Sequence, residues 1–223
     1  MADGNTKIFN VRYASPDTIA RFLEPFDCFF RIGMAEKRYA SEETLRALAD
    51  DKDWMVRKAV ARNRSTPCDV LDRLTHDYMD EVRWGAATNP STSIATLKRI
   101  AAEGKRDMCD LVPLNPSVTV EILGMLAKNW DYRVRHAVAG SRFTHPITLD
   151  MLADDEINIV RESVAHNRRT YYATLDRMIE DEDEWEEIRE AAREELETRE
   201  LFGYKRLTTP TIRLFEQATL FQA

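Results

Sequence analysis

The sequence predicts an all-α fold, a solenoid of six to seven two-helix repeats, each 26 residues long. Three observations predict it. A Val-Arg pair recurs as Val56-Arg57, Val82-Arg83, Val134-Arg135 and Val160-Arg161, always at 26 residues or a multiple of it. Asn63, Asn89, Asn115 and Asn167 keep the same step. Two leucine columns keep it as well. Self-similarity at a fixed period of about 20–50 residues is the mark of stacked repeats.

Residues 1–14 are expected to be an N-terminal extension. Ile8, Phe9, Val11 and Tyr13 in it suit a short extended piece or a cover for the first repeat. From Ser15 the frame fits loosely. Ile19 and Phe22 stand where Leu45 and Leu48 stand in the next unit, and Phe30-Arg31 stands where Val56-Arg57 does. This reads as an atypical first unit, because a terminal repeat has one face without a neighbour.

The first helix of each unit carries the leucine columns. One runs Leu45, Leu71, Leu97, Leu123, Leu149, Leu175; the other runs Leu48, Leu74, Ile100, Leu126, Leu152, Met178. Leucines at i and i+3 followed by a small residue at i+4 make the apolar stripe of a short helix. Ser41, Thr66-Pro67, Ser93, Thr119 and Thr144-His145-Pro146 precede these stripes as start signals. The second helix carries Val56, Val82, Met108, Val134 and Val160, with Val60, Ala86, Val112, Val138 and Val164 four residues on. Small residues such as Ala59, Gly85 and Ala137 lie between, which lets backbones approach. The asparagine column should end this helix, since asparagine tolerates the left-handed conformation used at helix C-termini.

The fourth unit breaks the pattern. Cys109 replaces the arginine and Pro113 falls within the second helix, where proline removes a hydrogen bond and kinks the chain. Such a bend could shape a groove beside Arg106 and Tyr132. The array, spanning 15–200, is expected to end in a charged helical cap around Trp185 to Leu201. There Ile188-Arg189 echoes Val-Arg two residues late. Residues 201–223 form a separate tail with Thr209-Pro210 as a helix start and Leu214, Phe215, Leu220 and Phe221 as an apolar face. The tail is expected to fold back as a helix onto the last units or onto a second copy, making oligomerisation possible.

"LADDKDWMVRKAVARN", "LAKNWDYRVRHAVAG" and "LADDEINIVRESVAHN" resemble the leucine-rich repeat variant family, a branch of the HEAT-like α-solenoids. The resemblance covers about 150 residues. It implies a right-handed superhelix in which short 3₁₀-like helices alternate with α-helices. Founding members also carry a cysteine-rich iron–sulfur segment, and nothing in this chain matches it, so no cofactor is expected. The resemblance implies a scaffold; a fold does not supply a function.

Composition narrows the classes. With 32% charged and 43% hydrophobic residues the chain can bury a core, and it lacks a run of about 18 apolar residues that would span a membrane. The stretch Met1 to Arg12 lacks the apolar run of a signal peptide. Three cysteines without a CxxC pair suggest a reducing, cytoplasmic setting. The net charge of −7 conceals an uneven spread: residues 180–200 carry −9, the rest +2. The acidic balance argues against a generic nucleic-acid binder, less strongly than the whole-chain figure suggests.

No catalytic constellation appears. The four histidines lack metal-ligand spacing, though His136 and His166 fall in neighbouring units; no metal site is expected. The seven scattered glycines form no phosphate loop. Asp50-Asp51 and Asp154-Asp155 read as turn residues. The arginine column Arg31, Arg57, Arg83, Arg135, Arg161 has two readings. It is either a structural ladder, with Asp53 and Asp131 in i,i+4 reach of Arg57 and Arg135, or a line of guanidinium groups facing phosphates or an acidic partner.

Columns that vary point to a partner surface. One reads Trp54, Asp80, Arg106, Tyr132, Asn158; another reads Lys58, Trp84, Asp110, His136, Glu162. Aromatic and arginine side chains dominate interface hot spots. The candidate surface is therefore Trp54, Arg57, Lys58, Arg83, Trp84, Arg106, Tyr132, Arg135, His136 and Arg161. The expected function is a non-enzymatic scaffold holding a protein or peptide. The alternative is a nucleic-acid-binding HEAT-like protein, or in its enzyme version one resembling alkylpurine DNA glycosylases, with Trp54, Trp84, Arg57, Arg83, Tyr132 and Arg135 on a concave face.

Overall fold

The computed structural model describes residues 15–203; the expected extension at 1–14 and the tail from 204 lie outside the described residues. All described secondary structure is helical, and it falls into two compact units, the first ending at Val118 and the second beginning at Thr119.

The first unit contains α1 (Pro16–Leu23), α2 (Cys28–Glu36), α3 (Glu42–Leu48), α4 (Trp54–Arg62), α5 (Cys68–Leu74), α6 (Asp80–Thr88), α7 (Ile94–Glu103) and α8 (Arg106–Cys109). The second contains α9 (Val120–Leu126), α10 (Tyr132–Gly140), α11 (Pro146–Leu152), α12 (Asn158–Ala165), α13 (Tyr172–Glu180) and α14 (Glu186–Leu201). Each unit is a stack of helix pairs, an α-solenoid architecture. In the first, α2, α4 and α6 pack side by side; in the second, α10, α12 and α14 do so. The leucine and valine columns fill the layers between: Leu45, Leu71, Leu97, Val56 and Val82 have no exposed surface, and Leu123, Leu149, Val134 and Val160 match them in the second unit. Full burial of each such side chain contributes about 1.5–3 kcal/mol.

The start signals act in two ways. Ser15, Ser41, Ser93 and Thr119 accept from the N–H three residues on, as N-caps do. Thr66 and Thr144 do not cap. Their buried hydroxyls donate backwards to the Val60 and Val138 carbonyls at 2.6 and 2.5 Å, a second bond beside those from the Asn63 and Ser141 N–H groups. Both helices of the regular pairs are α-helical, unlike the 3₁₀ alternation the resemblance implied. The Ala49 and Ala127 N–H groups bond the Leu45 and Leu123 carbonyls, a four-residue step.

The asparagines do not adopt the expected left-handed conformation. Asn63, Asn89 and Asn115 are extended, near φ −71, −70 and −74°, and no described non-glycine residue has positive φ. The reason lies in the side chain. Each amide donates to two carbonyls of the preceding repeat: Asn63 to Ala35 and Lys37, Asn89 to Ala61 and Asn63, Asn115 to Ala87 and Asn89, Asn167 to Ala139 and Ser141, all between 2.6 and 3.0 Å. An extended backbone presents the amide to the neighbouring turn, so the column joins repeats rather than merely ending helices.

The fourth repeat departs as expected. Gly104, at φ 66°, ends α7; α8 lasts one turn; Pro113 lies in a 3₁₀ turn, Val112–Leu114. Gly85 marks a close approach of helices: a Cβ there would meet the Ala61 Cβ at 3.1 Å. At the start of the first unit, Phe22 and Phe30 are 42% and 44% exposed where Leu48 and Val56 are buried, consistent with an end repeat lacking a described neighbour. No described helix is long and apolar enough to cross a membrane.

Candidate interaction surface

The arginine column is built into the scaffold. Arg57 Nε and Nη2 donate to both carboxylate oxygens of Asp77, at 2.6 and 3.0 Å, and its Nη1 donates to the Asp51 carbonyl at 2.6 Å. Arg31 makes the same set with Asp51 and the Phe26 carbonyl. Arg135 makes it with Asp155, at 2.6 and 2.9 Å, and with the Asn129 carbonyl. Each guanidinium thus ties the turn of its own repeat to that of the next. The aspartate then accepts from the N–H two residues on, as Asp77 does from Met79 and Asp155 from Ile157. Arg57 and Arg135 are 6% and 8% exposed, so neither faces solvent as a phosphate contact would.

The i,i+4 pairs expected from Asp53 and Asp131 are replaced by this longer link. Those aspartates cap α4 and α10, accepting from the Met55 and Arg133 N–H groups. Arg83 pairs with Asp80 and Asp107, and Arg161 with Glu184 at 2.5 and 2.8 Å. The acceptor for Arg161 lies 23 residues on instead of 20, in the same stretch where the frame runs two residues late before Ile188. Burial, the largest single influence, tends to raise the carboxyl pKa of Asp77 and of Glu184, but the guanidinium bonds, the N–H bonds from Met79 and Trp185 and the guanidinium charge together hold both below the usual range.

The varying columns lie on the layer of α2, α4 and α6 and on that of α10 and α12. Trp54 is half-buried against the core, with the Lys58 ammonium 5.3 Å from its ring centre. Trp84 is 43% exposed on α6, one repeat after Lys58. Met55 and Phe29 are exposed on α4 and α2 of the same layer. In the second unit, Tyr132 is exposed and touched by Arg133. His136 Nδ1 is 2.8 Å from the Ser163 hydroxyl, in a shallow pocket that also holds His166. No group of His, Cys, Asp or Glu among the described residues could hold a metal. Arg106 opens α8, and its side chain lies outside the described residues.

The sequence reading overlooked a set of cations. Lys37, Arg38, Arg62 and Arg64 are exposed at the C-terminal ends of α2 and α4 and in the turns that follow, beside half-buried Lys58. None of the five has a carboxylate within ion-pair distance among the described residues. The available signal was Arg38 and Arg64 standing one repeat apart in a turn.

No protein-family model matches the chain, and no curated protein does. Among solved structures, a leucine-rich repeat variant with a novel repetitive structural motif matches 83% of this chain and 73% of its own, at 24% identity and a TM-score of 0.57. The two share a helical repeat fold. An engineered protein matches 85% of this chain and 98% of its own at 17% identity and a TM-score of 0.31. The recurring arginine, asparagine and threonine columns are occupied inside the repeat fold, whereas the exposed Arg38 and Arg64 are not.

Proposed function

We propose that the chain is a non-enzymatic binding module that holds a protein or peptide on the face formed by α2, α4 and α6. The observation that carries this reading is the exposure of Trp84 on α6, with Met55 on α4 and Phe29 on α2 also exposed, on a layer whose arginine, asparagine and threonine columns are already committed to the scaffold. Exposed apolar side chains grouped on one surface, rimmed by polar ones, mark interaction sites, and tryptophan is enriched among interface anchors. The repeat fold suits this role because it offers an extended surface of stacked helices. The nucleic-acid reading drew on Arg57 and Arg135, whose guanidinium groups are occupied by Asp77 and Asp155.

Affinity capture from the source cells with the intact chain and with Trp84→Ala tests the proposal. At least one protein should be recovered by the former and lost with the latter. Failure to recover any protein, together with turnover of a small substrate or binding of an oligonucleotide in a gel shift, overturns it.

A further inference from the structure

We propose that the α2–α4–α6 face takes an acidic peptide segment of its partner, with carboxylates on the turn-edge cations and an apolar side chain against Trp84 and Met55. This rests on the protein-binding reading above and names the partner's chemistry.

The first ground is pairing. Arg31, Arg46, Arg57, Arg83 and Arg99 of the same unit all end on carboxylates. Lys37, Arg38, Arg62 and Arg64 do not, and Lys58, in the middle of α4, lies over the Trp54 ring instead. Unpaired guanidinium and ammonium groups grouped at helix C-termini are stabilised by the carbonyl ends of those helices and attract anions from solution.

The second ground is contiguity. The Asn63 amide donates to the Lys37 carbonyl at 2.9 Å, and the Ser65 hydroxyl to the Arg38 carbonyl at 3.0 Å, so the two basic turns are stacked one on the other. The Arg62 stem lies 3.4 Å from where a Cβ on Gly85 would stand, which places it against the α6 backbone next to Trp84. The cations and the apolar side chains therefore form one edge and one face of the same layer.

The third ground selects among polyanions. Glu36, the last residue of α2, occupies the column of Arg62 and so interrupts the basic edge, while Glu81 occupies that of Met55 in the first turn of α6, away from that edge. A phosphate backbone, charged at every residue, would meet Glu36. A peptide can place its carboxylates only where a cation waits and fill the remaining positions with apolar groups.

The test uses the full chain. A displayed library of random peptides of about 12 residues is panned against the intact protein and against an Arg38→Glu/Arg64→Glu variant. Selected peptides are then titrated as fluorescein conjugates at low and high salt, with a single-stranded DNA of about 20 nucleotides as the second probe. The selected peptides should carry an excess of Asp and Glu with an aromatic residue or leucine. Their affinity should fall tenfold or more in the double variant and in Trp84→Ala, and should weaken as salt rises. The three substituted side chains are exposed, so circular dichroism and melting should be unchanged. Peptides without acidic excess, or equally well bound by the double variant, overturn the acidic chemistry and leave the protein-binding reading standing. No enriched peptide, with or without binding of the DNA, overturns this proposal; DNA binding tighter than that of every peptide overturns both.

Discussion

Arg57 and Asp77 show what one repeated residue does here. The pair is buried and bidentate, and it links consecutive turns. Removing one member of such a pair leaves an uncompensated charge, so Asp77→Asn should lower the unfolding free energy by about 3–5 kcal/mol in urea titration. The pH dependence follows from the depressed carboxyls of Asp77 and Glu184. A group whose folded pKa is lowered contributes stability that is complete above its unfolded value, near 4, and lost as pH falls through the folded value. The urea midpoint should therefore stay level from neutral pH down to about 5 and fall below about 4, less steeply in Asp77→Asn. Cys109 is a second residue-scale case. Burial, with Asp110 and Asp107 nearby, pushes its thiol up to about 11, and the thiol donates to the Ile100 carbonyl at 3.3 Å. Exposed Cys68 should react first with a thiol reagent and Cys109 only on unfolding, as peptide mapping after timed alkylation would show.

At the scale of the element, the second helix of each pair depends on its neighbour for its ending. Asn89 closes α6 yet spends its amide on α4, at the Ala61 and Asn63 carbonyls, 2.7 and 2.8 Å away. Replacing it with alanine strands the Ala61 carbonyl and leaves the Asn63 carbonyl only its bond from the Thr66 N–H. Each buried unsatisfied group costs about 1–3 kcal/mol. Asn89→Ala should therefore be far more destabilising than loss of a helix C-cap, and Asn89→Asp no better, because a carboxylate cannot donate. Thermal melting of the two variants decides this. The column also explains the end of the chain's second unit. Asn167 has no following asparagine; buried Arg199 of α14 donates instead to the Asn167 and Thr170 carbonyls, at 3.0 and 2.7 Å. An arginine from a long helix thus takes the Asn167 carbonyl that a following asparagine would have taken.

At the scale of the molecule, repeats contact only their neighbours, so local weakness is not averaged away. The fourth repeat should be where the first unit is weakest. Its second helix is four residues long, Cys109 stands where the linking arginine would be, and a 3₁₀ turn follows. Native-state hydrogen exchange should find the amides of 106–114 exchanging faster than those of α4 and α6, with free energies below the global value. Equal protection across the three would contradict this.

Periodicity alone established the helix pairs, the buried leucine and valine columns, the break at Pro113 and the late register of the last repeat. Such features follow from which side chains prefer to leave water, and each is carried by the spacing of residue types along the chain. The destinations of the polar side chains were settled only by tertiary structure. Arginine, asparagine and threonine can each bond locally or across repeats, and spacing does not distinguish Asp53, four residues from Arg57, from Asp77, twenty residues away. The candidate surface divided for the same reason. Arg57 and Arg135 went inward because a partner stood in the next turn, whereas Arg38 and Arg64 have no such partner and stay in solvent. Whether a charge is available to another molecule depends on what packs beside it, a property of the folded stack and not of the residue.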